Sequence, residues 1–462
     1  MKKFLVVIIA VVFAFYDLTA QSNFSLYQLN NITQAQYVNP AFRASSKIGV
    51  SILPFSNIIN LQVLHTGFAL DDALATRPNS DSLDLTPAKL VDNLNDVNYL
   101  DVNLRNEFLA LTITTKKTTF NVSLNSVVNS GISYPKDLLR LAFYGNGGDE
   151  FLGQRAAIDN LGADATAYLE TGIGFNRKLT DNLVVGAKLK YLIGIGNLQT
   201  QYMNAGITTD AETYAVEIDG EARVNVSNID AVNAIVNNIA NPFTVFQNIA
   251  GAKNTGFGFD IGATYKLGER IRLSASVIDL GAITWREGVT NYQLDAFKFK
   301  YEGVDLVKYL TDTNAVFDVI TDSLEALTDI NETNISYTTN LYSKVYLGGS
   351  INVTKFFNVG LLWYNSFNPT RYITGLNFSA NVKLKHMLSL TANYGVYNYR
   401  DANVGLGVSL RTGPMQFFAM TDNALAIFKP ESTKNLHFSF GMSFQIGKSH
   451  EYTKNGKGMT IF

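Results

Sequence analysis

The strongest constraint on this chain is a strict alternation of apolar and small polar residues, sustained over runs of about ten residues. In the last run Leu436, Phe438, Phe440, Met442, Phe444 and Ile446 are separated by His437, Ser439, Gly441, Ser443 and Gln445. A period of two sends each set to its own face of a β-strand. Phe257, Phe259, Ile261, Ala263, Tyr265 and Leu267 alternate in the same way with Gly258, Asp260, Gly262, Thr264 and Lys266, and residues 376–384, 388–396 and 404–410 repeat the pattern. Strands of soluble sandwiches usually run ~5–6 residues, whereas a tilted strand needs ~9–11 to cross a bilayer. The expected fold is therefore all-β: a closed antiparallel transmembrane β-barrel with one face to lipid and one to the lumen.

The N-terminus fits export. Lys2 and Lys3 precede an apolar run over 4–16, and Leu18-Thr19-Ala20 followed by Gln21 suits signal-peptidase cleavage, so residues 1–20 read as a signal peptide. The run is shorter than the ~20 apolar residues of a spanning helix. The chain contains no cysteine, which excludes a lipoprotein anchor, disulfides and thiolate chemistry together. A mean hydropathy near zero is what alternating lipid-facing and lumen-facing residues produce. A net charge of −2 gives no footprint for nucleic acid. The expected location is the outer membrane, with outer-membrane lipid around the barrel.

Six connections read as tight turns: 115–117, 178–182, 267–270, 354–356, 385–387 and 411–414. Assigned to the periplasm together with both termini, they order about fourteen strands. These lie near 46–53, 102–115, 117–128, 165–177, 183–196, 256–267, 270–284, 336–354, 356–365, 372–384, 387–398, 402–411, 414–424 and 435–447. The barrel then occupies 46–447, and 448–462 is a polar periplasmic tail. Long extracellular loops follow over 54–99, 129–163, 197–255 and 286–334, with short helices expected at 135–143 and 304–327. The strand-like segment 211–226 is placed by parity in an external hairpin.

Trp285, Trp363, Tyr364, Tyr397 and Tyr399 gather where ascending strands should leave the membrane, and they read as an interfacial girdle. Inward positions carry Lys188, Lys190, Lys266, Arg272, Lys344, Lys383 and Arg411 against Glu170 and Asp260. That excess fits either an anion-favouring lower lumen or long cations tiling a wet rim, and the general exposure of Lys and Arg favours the rim. The four histidines are scattered without metal-ligand spacing, and His437 falls on the polar face of the last strand. Gly172-Ile173-Gly174 and Gly405-Leu406-Gly407 lie within alternating strands, so they are not phosphate loops. No nucleophile, metal or cofactor constellation emerges, and an enzyme is not expected.

Ser25-Leu26-Tyr27 and then Tyr37-Val38-Asn39-Pro40-Ala41-Phe42 precede the first strand. An Asn-Pro-Ala there resembles the N-terminal plug of the long-chain fatty-acid outer-membrane transporter family, and the porin-like accessory barrels of Bacteroidota type IX secretion look similar. The hairpin segments 256–265 and 273–281 resemble those barrels too, and the chain resembles a related Bacteroidota family of unknown function. The resemblance implies a fourteen-stranded barrel with residues 21–45 folded into the lumen as a plug that includes Asn39, Pro40 and Ala41. Two functions follow as expectations: binding or passing a hydrophobic small molecule, or a non-transporting scaffold for secretion or surface proteins. The long middle loops and the tail after Gly447 depart from the transporter pattern.

Overall fold

The computed structural model describes residues 23–52, 58–76, 83–85, 87–231, 253–302, 330–369, 371–384, 387–398 and 401–448. The expected signal peptide, the helix at 304–327, Tyr399 and the tail from 449 lie outside the described residues. A closed antiparallel barrel of 14 staves is built from the alternating segments. Stave β1 comes in two pieces, Ile48–Ile52 and Ile58–His65. It is followed by β2 (Val97–Thr114), β3 (Thr118–Pro135), β4 (Gly162–Lys178) and β5 (Leu183–Thr209). Next come β6 (Thr255–Leu267), β7 (Ile271–Trp285) and β8, again in two pieces, Tyr337–Asn340 and Ser343–Asn352. The circuit is completed by β9 (Phe357–Phe367), β10 (Tyr372–Leu384), β11 (Leu388–Tyr397), β12 (Asp401–Thr412), β13 (Met415–Thr421) and β14 (Asn435–Ile446). Closure is made by β1, where Ile48 stands opposite Ile446 on one side and Ile113 on the other.

The alternation sorts side chains as expected. Phe120, Ile173, Leu189, Phe257 and Phe378 are exposed on the outer wall. Their neighbours in sequence turn inward, and many of these buried polar groups hydrogen-bond across the strands. The Asn377 amide donates to Asn393 Oδ1 at 2.9 Å, and that of Asn381 to Asn358 Oδ1 at 2.7 Å. Such pairing offsets part of the cost of burying so many amides.

Several staves outrun their sequence signal. The first extends from the expected 46–53 to His65, β2 begins at Val97, β3 continues to Pro135, and β5 continues to Thr209. At ~3.3 Å per residue, 27 residues of β5 are far longer than a membrane crossing. Its upper half pairs with an outer strand, Val216–Ser227, which pairs with Val289–Tyr301, which in turn carries Ile330–Thr333. Above the membrane no face meets lipid, so the two-residue apolar rhythm that marks the lower halves fades. Much of two expected loops is thus a sheet rising from the long-loop end, and the segment near 211–226 does form part of an outer hairpin. A helix at Lys136–Tyr144 stands where a short helix was expected.

Candidate functional site in the barrel interior

The N-terminal segment lies against the inward faces of the staves. Its first helical turn, Phe24–Gln28, begins with two backbone amides that donate to one carboxylate: Phe24 N to Asp422 Oδ2 at 3.0 Å and Ser25 N to Asp422 Oδ1 at 2.8 Å. These are the amides a helix start leaves without intrahelical partners. Phe24 then stacks on Tyr397 at 4.9 Å, and Tyr27 stacks on Tyr346 at 5.4 Å and hydrogen-bonds Ser274 Oγ at 2.8 Å. Leu29, Ile32, Ala35 and Val38 complete an apolar cluster with Ile278, Leu362, Tyr364, Ile373, Phe418 and Met420 from the wall.

Asn39, Pro40 and Ala41 form a turn in which Asn39 Oδ1 accepts from Ala41 N at 2.9 Å, as an Asx-turn does, while its amide reaches Ala275 O at 3.2 Å. Ser276 donates to Val38 O at 2.6 Å, and Asn176 Nδ2 donates to Pro40 O at 3.1 Å and Phe42 O at 3.2 Å. Wall glycines permit this approach. A Cβ on Gly186 would lie 2.4 Å from Pro40 O, and one on Gly262 would lie 2.2 Å from Asn39 Oδ1. The sequence shows the turn but not its glycine seat, which requires knowing the register of β5 and β6.

A buried charge network flanks the segment. Arg105 pairs with Glu170 at 3.0 Å, and Lys190 reaches Asp279 at 2.5 Å, Asp260 at 2.7 Å and Glu170 at 3.7 Å. Lys188 lies 3.8 Å from Glu170, and Lys344 lies 3.0 Å from Asp279. Tyr37 enters this network from the segment: its ring lies under Arg105 and Lys188 at 5.3 and 4.5 Å, and its hydroxyl bonds Glu107 and Asn125. Lys188, Lys190, Lys344 and Asp260 all take part in this network, and Lys188 and Lys190 are fully buried, which the wet-rim reading does not fit for these two. Four cations (Arg105, Lys188, Lys190, Lys344) meet three carboxylates (Glu170, Asp260, Asp279), and Glu107 is held by Tyr37 and Gln34, so the buried charges are offset by pairing. Lys383 and Arg411 are buried as well: Lys383 donates to Asn30 Oδ1 at 2.8 Å, and Arg411 to Gln445 O at 3.0 Å and Gly447 O at 3.1 Å. Lys266 and Arg272 face each other in register near the short-turn end, both half-buried.

The aromatic girdle requires correction. Trp363 is 41% exposed on the outer wall, but Trp285 and Tyr397 are completely buried, and Tyr364 also points inward. Tyr397 shares the parity of Ser389, Thr391, Asn393 and Gly395, so its own strand pattern put it inside. Trp285 is turned in by a bulge. Between β6 and β7 the register shifts, leaving Ile278 and Asp279 opposite Asp260, with Asp279 at φ 61°. The extra residue moves the inward set of β7 from Ser274, Ser276 and Ile278 to Asp279, Ile283 and Trp285. Asp260 Oδ1 accepts the amide of Asp279 at 2.8 Å and fixes the bulge. The indole then donates to Thr339 Oγ1 at 2.9 Å inside the barrel.

Between the N-terminal segment and the long-loop end lies a cavity of about 90 Å³. Its floor includes Leu26, Gln34, Tyr37 and Val38, and its apolar wall includes Leu104, Val127, Tyr168, Tyr346, Tyr364, Ile373 and Phe418. Asp101, Arg105, Asp279 and Lys344 also reach its surface, so the charge network and the cavity share residues. Asp101, Arg105 and Glu107 were missed in the sequence, although all three share one parity on β2. Among the described residues no cluster of side chains suits a metal ion.

The closed wall, the lipid-facing outer band and the polar interior define a membrane β-barrel with an N-terminal segment inside it. The chain belongs to the family described as a family of unknown function (DUF5723), whose model matches residues 40–422. No curated protein matches the chain. Among solved structures it is similar to a Pseudomonas aeruginosa FadL homologue, at 11% identity over 93% of this chain and 100% of that one, with a TM-score of 0.43. It is similar to the Pseudomonas putida toluene transporter TodX at 9% identity over 89% of this chain and 91% of that one, with a TM-score of 0.39. The CymD monoaromatic hydrocarbon channel matches at 10% identity over 90% and 94% of the two chains, with a TM-score of 0.41.

Proposed function

We propose that the chain is an outer-membrane barrel that binds and passes a small hydrophobic molecule, with residues 21–45 as the plug that must shift for passage. The observation that supports this reading is the cavity bounded below by Leu26, Tyr37 and Val38 of the N-terminal segment, whose lining is divided about evenly between aromatic or aliphatic side chains and polar or charged ones. Aromatic and aliphatic walls with polar groups that fix orientation are the common form of a small-molecule site. The cavity is smaller than the ~300–1,000 Å³ of typical ligand pockets, so an extended acyl chain needs the segment to move. A binding and passage role, rather than a catalytic one, suits residues that pack and pair.

The test is a deletion. Removing 23–45 while keeping the leader should raise permeability to small solutes in reconstituted vesicles. It should also abolish saturable binding of an apolar fluorescent probe to the purified barrel. Unchanged permeability and binding would sink the plug and the cavity together.

A second reading, a scaffold for secretion or surface proteins, is favoured by the outer sheet that rises from β5. Native mass spectrometry of the protein extracted from its own membrane separates the two. A small hydrophobic mass supports passage, and a stoichiometric protein partner without one supports the scaffold.

A further inference from the structure

The upper edge of the cavity is built from polar side chains that reach across the lumen. Asp101 on β2 and Asp164 on β4 stand at one height, because Asp101 pairs in register with Gly131 of β3 and Gly131 with Asp164. Two strand spacings separate them by roughly 10 Å, and Gly131 places no side chain in the gap. Each carboxylate is held from the far wall. Arg371, just before β10, forms a buried ion pair with Asp101, and Tyr342, between the two pieces of β8, donates to Asp164 Oδ1 at 2.9 Å. Asp101, Asn103 and Tyr342 line the cavity, and Arg371 and Asp164 hold Asp101 and Tyr342 from outside its lining.

Three atoms of this ring are buried and have no hydrogen-bond partner: Arg371 Nε, Asn103 Oδ1 and Asp164 Oδ2. One is a donor and two are acceptors. A buried polar atom left unpaired is costly, about 1–3 kcal/mol by the general rule, so such a set favours a ligand group that can both donate and accept. The formal charges of Asp101, Asp164 and Arg371 sum to −1, while Arg105, Lys344 and Asp279 on the cavity lining add +1, so the site as a whole offers an anion no net attraction.

We propose that this ring is a headgroup subsite, and that the ligand is an uncharged apolar molecule bearing a hydroxyl or similar donor–acceptor group rather than a bare hydrocarbon or a carboxylate. The inference rests on the cavity being a ligand site, as put forward above. The ring of the ligand or its aliphatic body would lie against Tyr346, Tyr364 and Phe418, with its polar group toward Asn103 and the Tyr342 hydroxyl that Asp164 holds.

Benzyl alcohol, toluene and benzoate test this, because they share one skeleton and differ in the head. Their affinities would be measured by calorimetry on the whole detergent-solubilised barrel at about pH 8, where unpaired carboxylates are ionised. Benzyl alcohol should bind about tenfold tighter than toluene and tighter still than benzoate. Asn103→Leu should erase most of the advantage of benzyl alcohol over toluene. Asp164→Asn, which keeps an acceptor for the Tyr342 hydroxyl, should narrow the gap to benzoate about tenfold. Toluene or benzoate binding as tightly as the alcohol to the unmodified protein would overturn the headgroup subsite and leave the hydrophobic cavity standing. Binding by none of the three would remove the cavity reading and this inference with it.

Discussion

Single residues decide how the N-terminal segment is seated. Gly262 and Gly186 admit the Asn39–Ala41 turn because they carry no Cβ, and Asp422 accepts the two amides that open the Phe24 helix. Gly262→Val would drive a side chain into Asn39 Oδ1, and overpacking of this kind costs ~1–3 kcal/mol. The expected result is a lower unfolding temperature and faster trypsin cleavage after Arg43, the one basic residue between Asn23 and Ser46. Gly268→Ala serves as a control, since a Cβ there meets nothing within 4 Å, and should leave Arg43 as resistant as before, although Gly268 itself sits at φ 66°. Equal cleavage of Gly262→Val and the unmodified chain would show that the turn does not depend on the glycine seat.

At the scale of strands, the bulge at Asp279 has the largest consequence, because one extra residue exchanges the two faces of β7 above it. The protein has two tryptophans, which makes this measurable. With Trp363 alone (Trp285→Phe), brominated lipid should quench most of the emission. With Trp285 alone (Trp363→Phe), it should quench little and the emission should be blue-shifted. Strong quenching of Trp285 would place it on the lipid side and refute the inward flip.

The outer sheet is held in part by charge. Arg155 bonds Asp159 at 2.8 and 3.0 Å and Asp219 at 2.7 Å, and Asp159 Oδ1 also accepts Ala205 N at 3.0 Å. The Arg155 hydrogen bonds hold the Asp159 carboxyl below its ordinary range. A depressed acid stabilises the fold above its unfolded pKa, near 3.9, and loses that contribution as pH falls through the lower folded value. The side chains are about one-third exposed, so solvent screening keeps the effect modest. Hydrogen-exchange protection at Ala205 should hold from neutral pH to about pH 5 and fall below about pH 4, a fall that Asp159→Asn should remove.

For the whole molecule, closure is the main constraint. β14 pairs with both β13 and β1, and Phe444 stands between Met415 and Val50 on the outer face. Phe444→Asp puts a charge toward lipid on the staves that seal the barrel. Charged residues on that face cost up to ~2–4 kcal/mol, with acids toward the lower end. The expected outcome is loss of the heat-modifiable folded band on cold gels and accumulation of uninserted protein. Normal insertion would show that this position tolerates charge.

The sequence by itself determined the barrel, its fourteen staves and the six short turns, because lipid on one side and a packed interior on the other impose a two-residue rhythm that survives in the residues. Parity, a local property, also singled out Lys188, Lys190 and Asp260, while Asn39-Pro40-Ala41 stood out by its resemblance to a known plug. Only the tertiary structure decided what those residues meet. The pairing of Lys190 with Asp260 and Asp279 joins staves far apart in sequence. The burial of Trp285 follows from one bulge that composition does not announce. The ring of Asp101, Asp164, Arg371 and Tyr342 exists because closing the sheet brings opposite walls within reach of a side chain. Alternation is written strand by strand, whereas a lumen is defined by all the staves at once.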